Sequence, residues 1–427
     1  MLDIKFIREN VELVKKNNSY KRAEVDVDQL LKMDEGRRQL QVELEGLRNE
    51  RNKISKTKPN EVEIAEMRKM GEKIKDLENK FKELEQGITE LLYKIPNVVH
   101  SSTPVGPDES GNKVLRQVGE IPQFNFKPKE HWEIGKNRGL IDNEKAADVS
   151  GTRFTYLKGK LALLQFALIN HALSILTNEE SLKKIIKENN LNISSTPFIP
   201  VIPPVMIKPE VFQKMARIDP KEERYYIPSD DVYLIGSAEH TLGPLHMNET
   251  LDEKSLPLRY VGISLAFRRE AGSYGKDTKG ILRVHQFDKM EMESFSLPEN
   301  SVEEQNFFVA IQEELMKTLK LPYQIVQICT GDMGGPDARQ IDLETWMPGQ
   351  NKYRETHTSD LMTDYQSRRL KTKFKTKDGD SAFVHMNDAT AYAIGRTLIA
   401  IIENYQQEDE TIVVPEVLRQ YTGFDKI

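Results

Sequence analysis

Three stretches of the chain carry the residue types that handle phosphate and carboxylate chemistry. The first is FRREAGSYGKDTKGILRVHQFDKMEME, Phe267 to Glu293, where Arg268 and Glu270 lead into a glycine-rich charged loop and Arg283, His285, Phe287 and Glu291 return from it. Guanidinium groups on adjacent strands can grip a phosphate bidentately, and Phe287 offers a face for stacking on a base. Any one of these arginines taken alone reads more simply as half of a surface ion pair. The second stretch, NKYRETHTSDLMTDYQSRRL, Asn351 to Leu370, sets Glu355 among Thr356, Thr358 and Ser359. Those are oxygen donors of the kind a metal–nucleotide complex takes. The third, HMNDATAYAIGRTLIAIIENYQ, His385 to Gln406, places polar residues ahead of an apolar helix with Gly395 and Arg396 in its first turns. An arginine at a helix start opposes the helix dipole, so it calls for an anion there.

These stretches need a scaffold of hairpins and helices. Short β-rich runs (198–205, 233–235, 259–267, 281–287, 323–328 and 340–346) alternate with turn signals. Helical periodicity appears over 161–176, 302–319 and 391–405. Hairpin-like strands with a few helices predict an α+β domain on a mainly antiparallel sheet flanked by helices.

The first hundred residues read differently. Met33, Leu40, Leu47 and Ile54 fall at heptad spacing, with Leu44 one turn after Leu40 and Asp34 placed to cap the start. Lys58-Pro59-Asn60 breaks the helix. Met67, Met70, Ile74, Leu77, Phe81, Leu84, Ile88, Leu91 and Ile95 then alternate steps of three and four. Two heptad helices joined by a tight turn predict an antiparallel coiled-coil arm projecting ~45 Å, too long for a globular core to cover. Arg48, Arg51, Lys53, Lys56 and Lys58 cluster near its tip. They read either as a solvated helix face or as a track for RNA phosphates. The expected organisation is an arm-bearing domain over 1–105, a linker over 106–125 rich in proline and glycine, and a second domain over 126–427.

Composition narrows the class. The chain has 427 residues, 30 % charged and 38 % hydrophobic, with a formal net charge of -6. That balance excludes a wholly basic nucleic-acid binder but leaves room for a local basic patch, because charge is felt over ~8–10 Å. A single cysteine, Cys329, excludes a disulfide framework and a thiolate zinc site. The N-terminus lacks the apolar stretch of a signal peptide, and no run of ~18 apolar residues could span a membrane. A cytoplasmic protein is expected.

Taken in order, the three stretches resemble motifs 2 and 3 of class II aminoacyl-tRNA synthetases with the acidic strand between them. In wording they are similar to seryl-tRNA synthetase of the bacterial type, and FRREAGSYGKDTKGILRVHQF resembles that family's motif 2 over its whole length, with Arg269 as an extra positive charge. VVPEVLRQY (Val413–Tyr421) resembles the family's C-terminal segment, and the helical hairpin its tRNA-binding arm. VIPPVMI resembles motif 1, with Pro204 at the dimer-interface proline. The resemblance implies a homodimeric enzyme that uses ATP and Mg2+, without zinc, to join serine to tRNA(Ser), and to tRNA(Sec) where that exists. By the same resemblance Arg268 contacts the α-phosphate and the substrate carboxylate, and Arg283 belongs to the ATP site. Glu270 and the backbone near Val284 hold the adenine, with Phe287 stacked on it. Arg396 lies across the base or near the γ-phosphate, and Glu355, supported by Thr358, takes the magnesium. Ser237 and Glu239 fall where the family binds the serine ammonium. Glu291 and Thr390 fall where it binds the hydroxyl, and Asp388 stands where asparagine is usual. Two other readings are an adenylating enzyme that loads a carrier protein, which would lack the arm, and a binding protein on a dead synthetase, which would have lost Arg268, Glu355 or Arg396.

Overall fold

The computed structural model describes residues 1–56, 59–273, 277 and 279–427. Its packing divides it into two compact units, Met1–Val98 and Val99–Ile427.

In the first unit, short helices α1 (Ile4–Glu9) and α2 (Val11–Tyr20) precede two long ones, α3 (Val27–Ser55) and α4 (Glu61–Lys94). The expected arm is present, but α3 begins earlier than the heptads indicate. Its cap is Asp26, whose side chain accepts from the Gln29 amide, and Asp34 lies inside the helix. Asp34 is fully buried there because Arg8, Arg37 and Arg38 surround its carboxylate at 3.3, 2.8 and 3.3 Å. Asn60 and Glu63 form a reciprocal capping box that starts α4. Leu44, Ile74 and Leu77, flanked by Leu40, Leu47 and Phe81, make the seam between the arms. Arg48 donates to Glu78 across that seam at 2.7 Å, while Arg51, Lys53 and Lys56 are exposed. Lys58 lies outside the described residues.

The second unit is built on one large sheet of eight strands. In chain order they are β1 (Lys113–Val118), β2 (Ile199–Val201), β3 (Leu258–Phe267), β4 (Gln286–Ser296), β5 (Tyr323–Gln327), β6 (Arg339–Met347), β7 (Lys352–Thr363) and β8 (His385–Ala393). Their spatial order is β1-β5-β6-β7-β8-β4-β3-β2. All neighbours are antiparallel except β2, which runs parallel to β3. Helices α5 (Lys160–Leu176), α6 (Ser301–Thr318) and α7 (Ile394–Asn404) pack with the sheet in the main apolar core. Met290 and Met292 of β4 and Ala389 and Ala391 of β8 point into that core. The alternate residues of the same strands therefore face the other way, which is where the polar side chains gather.

Three boundaries differ from the sequence expectation. The stretch expected as a linker over 106–125 contains β1, which pairs with β5 and extends the sheet. Its glycines serve close packing: a Cβ on Gly106 or Gly111 would meet Cys329 Sγ at 3.0 or 3.1 Å. Residues 281–285 form a turn rather than a strand, and β4 starts at Gln286. Gly280, at φ 74, makes the bend where a Cβ would collide with His131. The expected helix from Ala391 starts at Ile394, because β8 continues through a bulge at Ala391 to Ala393. No single helix among the described residues is long and apolar enough to cross a membrane.

Candidate active site

Where β4, β7 and β8 turn their polar faces outward, Arg268, Glu270, Val284, Phe287, Glu291, Glu355, Thr358, Asp388, Thr390 and Arg396 line one cavity with Arg283 and Glu239. Twelve of the sequence-derived site residues thus meet, drawn from positions 239 to 396 of the chain.

Two bulges make this possible. On β7, Glu355 opposes Glu344 and His357 opposes Leu343, so Thr356 is the extra residue. The parity of the strand reverses there, and Glu355 and Thr358 share the cavity although three positions separate them. On β8 the extra residue is Ala391, which leaves Thr390 directly across from Glu291 and Asp388 across from Glu293.

The arginines of the cavity are held in place by acids and carbonyls. Arg268, just past β3, donates Nε to the Gly236 carbonyl at 3.0 Å and lies 5.4 Å over the Phe287 ring. Arg283 donates to Asp277 at 3.1 Å and to Glu270 at 3.3 Å. Arg396, in the first turn of α7, donates Nη1 to Glu355 Oε1 at 2.8 Å and to the Glu355 carbonyl at 2.9 Å. An incoming polyanion would meet guanidinium groups already aimed and lightly restrained. Glu355 Oε and Thr358 Oγ1 present hard oxygen donors, a set that suits magnesium.

The deeper end of the cavity is acidic, and sequence reasoning missed most of what organises it. Arg217, half-buried in the cavity wall, reaches Asp360 at 3.0 Å, Asp337 and Asp388 at 3.2 Å and Glu239 at 3.6 Å. Lys289 sits 2.7 Å from Glu291 and donates to Ser237 Oγ at 3.1 Å, and Ser237 donates on to Glu239 at 2.7 Å. Ser237 is therefore fully buried behind Glu239 rather than on the cavity wall. Burial pushes Glu239 up, but Lys289, Arg217 and His240 outweigh it and keep the carboxyl well below its usual range. Burial raises Glu291 to about 7, against the pull of Lys289 and with a push from Glu239. Asp388 and Glu293 are raised well above the carboxylate range, first by burial and then by their acidic neighbours. Carboxylate oxygens of Glu239, Glu291 and Asp388 lie within 4.8 Å of one another. Three converging acid oxygens beside a cross-strand threonine can hold a small ammonium and a hydroxyl together.

Pro204 is elsewhere. It follows β2 on an exposed edge where Ile199, Ile202 and Met206 are 50, 86 and 51 % exposed, and its carbonyl accepts from Thr241 at 3.0 Å.

Known proteins share this arrangement over the full chain. Residues 1–99 match the seryl-tRNA synthetase N-terminal domain, and residues 224–405 match the tRNA synthetase class II core domain (G, H, P, S and T). Serine–tRNA ligase of Thermodesulfovibrio yellowstonii is 38 % identical over 440 residues, covering 100 % of both chains. The crystal structure of seryl-tRNA synthetase from Pyrococcus horikoshii complexed with ATP superposes with a TM-score of 0.89 at 40 % identity, over 100 % of this chain and 99 % of that one. Cytoplasmic serine–tRNA ligase from Naegleria fowleri in complex with AMP gives 0.85 at 31 % identity, over 100 and 98 %. With both of its domains matched and its whole length aligned, the chain belongs to the seryl-tRNA synthetase family.

Proposed function

We propose that the protein activates serine with ATP and transfers the seryl group to the 3′ end of tRNA(Ser), and of tRNA(Sec) where present. The observation that carries this reading is the pairing of Glu291 with Thr390 across β4 and β8, beside Glu239, in the cavity that also holds Arg268, Glu355 and Arg396. In that pocket Glu239 and Asp388 receive the serine ammonium, and Glu291 and Thr390 hydrogen-bond its hydroxyl. The carboxylate then faces Arg268 and attacks the α-phosphate in line, breaking the bond to the β-phosphate so that pyrophosphate leaves and seryl-adenylate remains. Such an attack needs no strong general base, only positioning and neutralisation of the charge growing on phosphorus. Arg268 supplies a donor to the α-phosphate while its stacking partner Phe287 carries the adenine, with Glu270 and the Val284 backbone at its edge. Arg283 and Arg396 take the outer phosphates. Glu355 and Thr358 would hold Mg2+, which when bound neutralises phosphate charge; Arg396 leaves Glu355 for a phosphate.

A site built to hydrogen-bond a hydroxyl rejects an analogue lacking it by ~10⁴–10⁵, which disposes of alanine. The first unit, with Arg48, Arg51, Lys53, Lys56 and Lys58 on its arm, serves tRNA, and its presence favours tRNA over a carrier protein. The exposed apolar edge around Pro204 serves a second copy of the chain, making a homodimer. A cytoplasmic location suits an enzyme that works on tRNA. Pyrophosphate exchange across the amino acids, followed by charging of tRNA(Ser), tests the reading: serine alone should support both. Exchange driven equally by alanine or threonine would refute it.

A further inference from the structure

Arg224 brings a second guanidinium to the mouth of the site, from a segment that none of the motifs covers. With Arg217, Glu239, His240 and Arg268 it lines a cavity of about 420 Å³ opening beside the nucleotide cavity. Its Nη2 donates to the Arg217 carbonyl at 2.7 Å, and its guanidinium lies 5.4 Å over the Phe212 ring. Neither Arg224 nor Arg268 has an ion-pair partner among the described residues. The backbone makes room for the group: a Cβ on Gly236 would stand 2.9 Å from Arg224 Nη1. The carbonyl of that same glycine accepts from Arg268. One peptide segment therefore sets both guanidinium groups side by side, and three residues later it supplies Glu239.

We propose that Arg224 is a binding residue for the substrate carboxylate, sharing it with Arg268 while Glu239 holds the ammonium; this rests on the serine-activating reading above. An α-amino acid carries its ammonium and carboxylate on one carbon, so the carboxylate must fall within a few ångströms of Glu239. Among the described residues, the arginines that line this cavity beside Glu239 without a salt-bridge partner are Arg224 and Arg268. Burial and the neighbouring Arg268 lower Arg224 to about 10, so a bound carboxylate relieves repulsion that the empty pocket carries. Two guanidinium groups on one carboxylate also fix the direction of the attacking oxygen.

The test compares L-serine with L-serinamide, which keeps the ammonium and hydroxyl but has no negative carboxylate. In wild-type enzyme, serine-dependent pyrophosphate exchange is measured first; its absence would dispose of the serine reading itself. In Arg224→Met, the KM for serine should rise about 10- to 100-fold, the range for a lost hydrogen bond to a charged group. The inhibition constant of serinamide against exchange should stay within about twofold of wild type, and Arg224→Lys should recover part of the serine KM. Parallel weakening of serine and serinamide would overturn the proposal in favour of a packing role. An unchanged serine KM with a raised KM for tRNA would overturn it too, assigning the guanidinium to a tRNA phosphate.

Discussion

Replacing Glu291 with glutamine tests the acidic end of the site most directly, because the group changes charge within the assayable range. Its carboxyl is 2 % exposed and is raised from 4.5 to about 7, by burial first, with Lys289 opposing and Glu239 reinforcing. At ~1.4 kcal/mol per pH unit, that displacement means ionising Glu291 in the folded protein costs roughly 3–4 kcal/mol more than ionising a free glutamate. The ionised fraction then climbs from roughly a tenth at pH 6 to roughly nine tenths at pH 8. If the carboxylate accepts the serine hydroxyl, kcat/KM for serine in pyrophosphate exchange should rise about ninefold over that span. Glu291→Gln should flatten this limb while remaining measurable, since an amide oxygen still accepts. Stability follows the opposite course. A carboxyl raised in the folded state contributes stability below pH ~4.5 that is lost as pH rises through about 7. The Tm of the glutamine variant relative to wild type should therefore increase between pH 5 and pH 8. A variant that keeps the wild-type pH limb would refute the assignment, and so would a relative Tm that does not move.

Three further outcomes are expected. Arg268→Ala should lower adenylate formation by ~10²–10³ in pyrophosphate exchange, and a loss under about tenfold would remove Arg268 from the reacting phosphate. Glu355→Gln removes the acid that pairs with Arg396 at 2.8 Å and should raise the magnesium concentration for half-maximal exchange; an unshifted midpoint would mean that the metal is held elsewhere. Placing a charge at the 86 % exposed Ile202, as Ile202→Asp, should dissociate a homodimer in sedimentation. A wild-type chain that sediments as a fully active monomer would end the dimer proposal.

The residues proposed to meet the substrates were legible in the sequence because they sit in compact strings whose wording a family shares. Arg268, Glu270 and Phe287 fall within a stretch of twenty residues, and their meeting needs only a hairpin. Arg217, Arg224, Asp337 and Asp360 were not legible. Each looks like a surface charge until β7 and β8 are set side by side and the loop after Met215 is folded beneath them. The bulges at Thr356 and Ala391 are equally silent in a linear reading, yet they decide which side chains share the cavity. Asp34 failed as a cap for a related reason: an acid before an apolar heptad reads as a helix start, and only three converging arginines make it a buried centre. The glycines over 106–125 suggested a linker, whereas Gly106 and Gly111 are glycine because each other's backbone and Cys329 leave no space for a side chain. A signal that would have found Lys289 was present, since it shares strand parity with Phe287 and Glu291 on β4.

The arm offers the sharpest separation of the two chemical steps. Excising only 33–95 would cut α3 behind Leu30 and remove Asp34 from Arg8, leaving a damaged base. The boundary between the two compact units makes Met1–Val98 the better cut. The remaining unit keeps its eight-stranded sheet and its main apolar core. If the arm recognises tRNA, the truncated enzyme should retain serine-dependent pyrophosphate exchange within a few-fold while charging of tRNA(Ser) collapses. In the full chain, neutralising Arg51, Lys53 and Lys56 should act more mildly than truncation. Each tRNA phosphate left without its cation should flatten the log–log salt dependence of binding by ~0.7–0.9. Arg48 should add less, because its guanidinium is already engaged with Glu78 at 2.7 Å and must leave that partner to reach a phosphate. A salt slope unchanged in the triple variant would make these charges a solvated helix face. Loss of exchange together with charging in a truncated enzyme that still folds would mean that the first unit supports the chemistry as well as the tRNA.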